Sequence, residues 1–438
     1  MIGFILADLR RFAGGALAVI ALIGLSVALS VAVTLQERAV RQGSARAADR
    51  FDLLVGAAGS ETQLALSVVF LQPAPLPLMP GAVFAKLAAD PRVAWAAPVG
   101  FGDSSLGHPI VGTTTALIAA LSPRLAEGAL FARLGEAVVG ADVPLPLGAE
   151  IKPLHGAPGS ASETHTAIAY TVTGRMSPSG TAWDRAILVP IRAVWALHGL
   201  ERPGIALEEG YGRHAGGGGA GFPAGLREPL AATVAEQRGQ LHRHGPIDRD
   251  AALDERFDAQ TPPVPAVVVK PRSVADAYRL RREYRSETTL AVFPAEVLTR
   301  LYRTLGDGRR ILLGFAMATQ GLVLAAILLV AIIHIGSRRR QIAALRAIGA
   351  PLRAVIAIIW GEMFLLFLAG LGLGIGLGIA IARLVSGHLA AATGIAMHLG
   401  WAGEDARLLL GFLGLAALLS LIPALAVLRD SPAAGLRA

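Results

Sequence analysis

Cysteine is absent from the 438 residues, which excludes a disulfide framework, cysteine-ligated zinc and thiol catalysis. Charged residues are scarce at 16% and aromatic residues at 5%, while 53% are hydrophobic. The mean hydropathy of +0.55 is too high for an ordinary soluble protein of this length. Also missing are a G-x-x-x-x-G-K-[ST] loop and the G-x-S-x-G and H-E-x-x-H signatures. The chain therefore has no phosphate-cradling loop of its own and no sign of these hydrolase chemistries. The run Gly216 to Gly219 lies outside the apolar segments and does not open a helix after a strand. The charge that is present sums to +8, without RNP, helix-turn-helix or zinc-finger spacing to direct it at nucleic acid. Much of the arginine instead flanks apolar runs, where it is retained in the cytoplasm and meets anionic membrane lipid.

Four apolar runs are long enough to cross a bilayer, since a helix needs roughly 20 residues to do so. The first is Phe12 to Leu35, and the others are Ile311 to Gly336, Ala354 to Ala382 and Leu408 to Leu428. The first run exceeds a signal-peptide core and carries no convincing cleavage site, so it reads as an uncleaved span. Arg338, Arg339, Arg340, Arg346 and Arg353 crowd the loop between the second and third spans, whereas Leu384 to Ala406 carries Glu404 and Asp405 but no lysine or arginine. The positive-inside rule places the first of these loops and both termini in the cytoplasm. Arg38, Arg41, Arg46 and Arg50 follow the first span on the other side, in a segment long enough for the rule to act weakly.

Residues 37–308 are sufficient for an independent extracytoplasmic domain between the first and second spans. Strands are expected at Glu136 to Gly140, Ala167 to Gly174, Ala186 to Pro190 and Val264 to Lys270, and helices at Ala82 to Ala89, Arg192 to His198, Val274 to Tyr284 and Ala295 to Leu305. That mixture predicts an α+β domain, with a flexible insertion at about 209–258, Gly-rich at its start. The expected fold is thus a membrane protein of four transmembrane α-helices and one large α+β extracytoplasmic domain. Its parts are an N-terminal amphipathic segment with the first span (1–36), the domain (37–308) and a C-terminal membrane region (309–438).

Four groups of residues stand out. Directly after the second span, residues 337–352 pattern as a short basic amphipathic helix, with Arg338, Arg339, Arg340, Gln341 and Arg346 set against Ile342, Leu345 and Ile348, and Gly349 as a stop signal. Such a helix fits either a membrane-surface anchor or an element that receives force from another protein. Glu362 lies inside the third span, where a carboxylate is costly and is by default a functional candidate; structural capping near the cytoplasmic boundary is the competing reading. Gly370, Gly374 and Gly378 form a double GxxxG stripe suited to close helix packing, with Gly372 and Gly376 forming a second. His242 and His244, near Asp248 and Asp250, offer metal-ligand chemistry, but two histidines at i and i+2 in a polar loop fix no geometry, so no metal site is expected there. His155 and His165 are too far apart in sequence to constrain anything.

The segment Ser337-Arg-Arg-Arg-Gln-Ile-Ala-Ala-Leu-Arg-Ala-Ile-Gly-Ala350 resembles the signature of the FtsX/MacB-like family of ABC permeases, with Ser337 and Gln341 where the family carries acids. The resemblance extends through Trp360-Gly-Glu-Met-Phe-Leu-Leu and the glycine-rich helix that follows. In the outer domain it includes Gly128-Ala-Leu-Phe131, Glu136 to Gly140 and Val172-Thr-Gly-Arg-Met-Ser-Pro-Ser-Gly-Thr-Ala-Trp-Asp-Arg-Ala-Ile-Leu-Val-Pro190, which look like the MacB-type periplasmic domain. It implies a non-catalytic, homodimeric permease in the inner membrane of a Gram-negative-type cell. The partners it implies are a separate ABC ATPase, which would bind ATP and Mg, and a periplasmic adaptor or substrate-binding protein. Residues 337–352 would be the coupling helix, and stalks from about Leu35 to Arg50 and Ala295 to Gly308 would carry motion outward. The same resemblance admits an FtsX-type regulator of a periplasmic partner, or a lipoprotein-releasing permease.

Overall fold

The computed structural model describes residues 10–11, 13–156, 168–200, 247–303, 321, 349–400 and 403–426. The expected second span, 311–336, lies outside the described residues apart from Gly321, and so does the basic segment up to residue 348. The described chain divides into two compact units. One gathers the long apolar helices, and the other is an α+β body formed by residues 43–303 together with Leu389–Ala396.

The helical unit is dominated by α1 (Ala13–Ala48), while a helix of 42 residues, Leu352–Thr393, supplies its second long element. Neither contains proline. At 1.5 Å per residue they measure about 54 and 63 Å, well beyond a hydrocarbon core of roughly 30 Å. The apolar runs read from the sequence are therefore only part of each helix: α1 continues through Gln36 to Ala48, and the other continues eleven residues past Ala382 into a stretch expected to be loop. These two are the described helices long and apolar enough to cross a membrane. A third, Gly403–Ala426, overlaps the expected fourth span and holds a shorter apolar stretch, Leu409–Ile422. Two apolar helices and a large α+β domain fit a membrane permease; the number of spans expected from the sequence is not settled by the described residues.

Burial follows the helical repeat. Ile23, Val27, Ala28, Ala32, Leu35 and Ala39 form the covered stripe of α1, whereas Leu17, Leu25 and Leu29 are exposed on other faces. A row of exposed leucines is a liability in water but ordinary against lipid tails.

The α+β unit is built on an eleven-stranded mixed sheet. The strands are β1 (Leu53–Ala57), β2 (Val93–Ser105), β3 (His108–Thr113), β4 (Leu125–Gly128), β5 (Glu136–Val139), β6 (Glu150–Ile151), β7 (Leu154–His155), β8 (Tyr170–Met176), β9 (Ile187–Pro190), β10 (Ala266–Pro271) and β11 (Thr289–Val292). Their order is β11-β1-β10-β2-β3-β9-β5-β8-β4, with β6 on β8 and β7 on β2. The β3–β9 and β5–β8 pairs are parallel and the rest antiparallel. The thirteen-residue β2 belongs to both halves of the sheet: it pairs with β10 over Val93–Val99 and with β3 from Gly100 onward, and its register shifts between Gly100 and Asp103.

Both faces of the sheet are covered, as the period-2 alternation of strand side chains requires. Leu54, Val138, Leu188 and Val268 point into one core, with Trp183 at its centre, while their sequence neighbours Leu53, Ala137, Ile187 and Val267 point into cores on the opposite face. Helices α2 (Glu61–Phe70) and α4 (Thr115–Leu121) pack on the first face; α3 (Gly81–Ala88), α5 (Ile191–Leu197) and α6 (Val274–Glu283) contribute to the other. A further helical stretch covers 294–303. Residues 247–258, expected to close the flexible insertion, are held in place. Leu134 N–H donates to Ala251 O, Leu253 N–H to Ala132 O, and Thr115 N–H to the Glu255 carboxylate.

Candidate functional site

Of the expected coupling residues, Arg338, Arg339, Arg340, Gln341, Ile342, Leu345, Arg346 and Ile348 lie outside the described residues. Gly349 is described: its φ of +100° is a conformation that favours glycine, and Pro351 then leads into α7 (Leu352–Thr393). The basic segment is thus followed, within three residues, by the start of a helix 42 residues long.

Glu362 is buried, with 5% of its surface exposed, and sits in register with Ile359, Met363 and Leu366 on the covered stripe of α7. It faces other protein rather than lipid. Two residues earlier, Trp360 donates its indole N–H to Ala417 O at 3.0 Å and stacks on Phe364, pinning α7 to α8 (Gly403–Ala426). Gly370, Gly374 and Gly378 meet α1. A Cβ at Gly370 would lie 2.6 Å from Ile23 Cβ, one at Gly374 2.5 Å from Val27 Cβ and 2.7 Å from Gly24 O, and one at Gly378 2.8 Å from Ala28 O. Where side chains are absent the two backbones close up, which is how helices associate when lipid removes the hydrophobic drive. The second stripe differs, since among the described residues nothing lies within 4 Å of a Cβ at Gly372 or Gly376. Farther along, Ser386 Oγ donates to Gln36 Oε1 at 2.9 Å and Arg38 to Gly400 O, so the α1–α7 pairing outlasts the apolar stretch.

In the α+β unit, the loop after β8 is drawn into a knot by Asp184, which is 3% exposed. Its carboxylate accepts from Ser179 N–H at 2.8 and 3.0 Å, from Ser179 Oγ at 2.7 Å and from Gly180 N–H at 2.8 Å. Thr181 caps the short 3₁₀ turn Ala182–Arg185, and Trp183 fills the core while donating to Val68 O at 3.0 Å. On this knot rests Leu389–Ala396, the part of the chain where α7 ends. Gly394, at φ +70°, stops the helix and packs against Ala182 and Arg185; Arg185 donates to Ala392 O, Ala396 N–H donates to Gly180 O at 3.2 Å, and Ile395 enters the Trp183 core. The same core takes Ala47, Ala48 and Phe51 at the end of α1, and Val297 and Leu298 with Leu301 and Tyr302 from 294–303. Three separate pieces of chain next to expected spans thus converge on one cluster.

Another grouping is not legible in residue spacing. Asp103, His155 and His198 lie together, with their ligand-capable atoms all within 4.8 Å of one another. His242, His244 and His165 are outside the described residues.

Residues 314–432 match the family described as FtsX-like permease C-terminal. The match supports an ABC-type permease of the FtsX-like kind, a family whose members are generally non-catalytic transporter components and normally work with an ABC ATPase. Together with the apolar helices it indicates a membrane protein. The match does not extend into residues 43–303 of the α+β unit. No curated protein matches the chain.

Proposed function

We propose that this chain is the permease subunit of an ABC transporter. It pairs with a second copy of itself, takes ATP-driven motion from a separate ATPase through residues 337–352, and passes that motion to the α+β unit outside the cytoplasmic membrane. Arg338, Arg339, Arg340 and Arg346 give the coupling segment its basic face; Ile342, Leu345 and Ile348 give its apolar face; Gly349 ends it. In this reading both termini are cytoplasmic and the α+β unit is periplasmic, which the arginine-rich loop between the second and third spans supports.

The observation that supports this reading most is the convergence on the Trp183 core. Three stretches of chain adjoining expected spans, ending at about Phe51, beginning near Val297 and arriving at Ile395, all anchor in one cluster. Displacement of any one is therefore felt at the same place. The buried position of Glu362 fits an internal packing or coupling element better than a polar solute path, and so favours mechanical work outside the membrane.

The test is ATPase stimulation by the full chain in lipid. The double substitution Arg346→Ala with Gly349→Ala should abolish stimulation of the partner ATPase while leaving membrane insertion intact; undiminished stimulation would remove the coupling role. Cysteine labelling gives an independent check, made clean by the lack of native cysteine. A cysteine at Arg339 should react only from the cytoplasmic side.

A further inference from the structure

We infer that Asp103, His155 and His198 form a binding site for a divalent transition-metal ion, Zn²⁺ being the ion the donors suit best. The three come from different parts of the chain and are set by rigid elements. Asp103 and His155 are directly opposed in the antiparallel β2–β7 pairing, and Gly156 N–H donates to Gly102 O at 2.7 Å beside them. His198 caps the C-terminal end of α5, its own N–H bonded to Val194 O at 3.0 Å.

The geometry is that of a nearly assembled ligand set. His198 Nε2 lies 3.1 Å from one Asp103 carboxylate oxygen and His155 Nδ1 3.5 Å from the other. Two ligands on a tetrahedral ion at about 2.0–2.1 Å stand about 3.3 Å apart; the two Asp103–histidine spacings are near that value, and with all three ligand atoms within 4.8 Å of one another the set has to draw in around an ion. Two imidazoles and one carboxylate are the donors of many zinc sites with an open fourth position. Burial is graded in the same sense: the Asp103 side chain is 2% exposed, His198 10% and His155 48%. The carboxylate is thus anchored inside, and the ion has an entry and an open coordination position on the His155 side. A carboxylate this deep must be held by polar partners, and here the two imidazoles are those partners, so all three donors already face one another.

The bound ion would tie β2, β7 and the end of α5 together in the α+β unit. It is independent of the proposed coupling role, which uses none of these residues.

Full-length protein in detergent, stripped with chelator, should bind about one Zn²⁺ per chain in equilibrium dialysis, and Co²⁺ in its place should give the visible absorption of a low-symmetry site. Because ligands must be deprotonated, affinity should fall as the histidines protonate. Asp103→Asn and His155→Ala should each weaken binding at least about tenfold. The partly exposed His155 can be truncated without threatening the fold, and an unchanged thermal midpoint of metal-free His155→Ala would show this. A double His242→Ala, His244→Ala variant should retain the site. Absence of stoichiometric binding, binding indifferent to both Asp103→Asn and His155→Ala, or loss of binding in the His242/His244 variant would each overturn the inference.

Discussion

The two units solve the packing problem in opposite ways. In the helical unit the tightest contact is made by leaving side chains out: Gly370, Gly374 and Gly378 let α7 approach α1 until a single added carbon would overlap Val27 or the Gly24 carbonyl. In the α+β unit close packing is reached by putting large side chains in, with Trp183, Trp195, Tyr170 and Phe84 among the fully buried groups. The difference reflects the solvent. Water rewards removal of apolar surface at about 25 cal/mol per Å², so bulk is favoured in the sheet domain. Lipid offers no such reward, and shape complementarity between backbones is what remains.

That contrast can be broken by substitution. The largest effect is expected from Trp183→Ala, which empties the shared core and strands Val68 O; a cost of about 3–5 kcal/mol should appear as early loss of protease resistance in the α+β unit. Next comes Asp184→Asn, which weakens the charge-assisted bonds from Ser179 and Gly180. The expected loss is about 2 kcal/mol, read from the denaturation midpoint followed by tryptophan fluorescence. Gly374→Val should cost about 1–3 kcal/mol of helical-unit stability in detergent through overpacking, whereas Gly376→Val, whose Cβ meets nothing within 4 Å among the described residues, should be nearly silent. Equal effects at 374 and 376 would erase the distinction between the two glycine stripes.

The smallest effect concerns the surface of the sheet domain. Arg92 holds Asp90 below the usual carboxylate range, and Lys86 and then Arg92 do the same for Glu283. Carboxylates with lowered folded-state pKa stabilise the fold above their unfolded-state pKa, and that contribution fades as pH falls through the folded value. Glu283→Gln should therefore flatten the acid limb of the stability profile and shift the midpoint at neutral pH by only about a degree or two, since the group is partly exposed.

Legibility in the sequence also divides along these lines. The apolar runs around α1 and α7 were plain, but hydropathy marks where lipid ends rather than where a helix ends, so the extensions to Ala48 and Thr393 were not visible in it. Strands β5, β8, β9 and β10 fall where alternation and β-branched residues point. Strand β2 was missed because Val-Ala-Trp-Ala-Ala-Pro-Val-Gly-Phe-Gly has little β propensity; its pairing with β10 and β3 overrides that. Helix α2 was missed as well, although Ser60 and Gln63 carried the signal: the Ser60 hydroxyl accepts from Gln63 N–H. The Asp103, His155 and His198 grouping could not be read from spacing, because it depends on the register that sets Asp103 opposite His155.

Strand β2 governs how the α+β unit comes apart. Because β2 is held by β10 at one end and by β3 and β7 at the other, neither half of the sheet can melt and leave the other with an intact edge. Hydrogen exchange should accordingly find β1, β10, β3 and β9 opening as a single cooperative block rather than as two foldons.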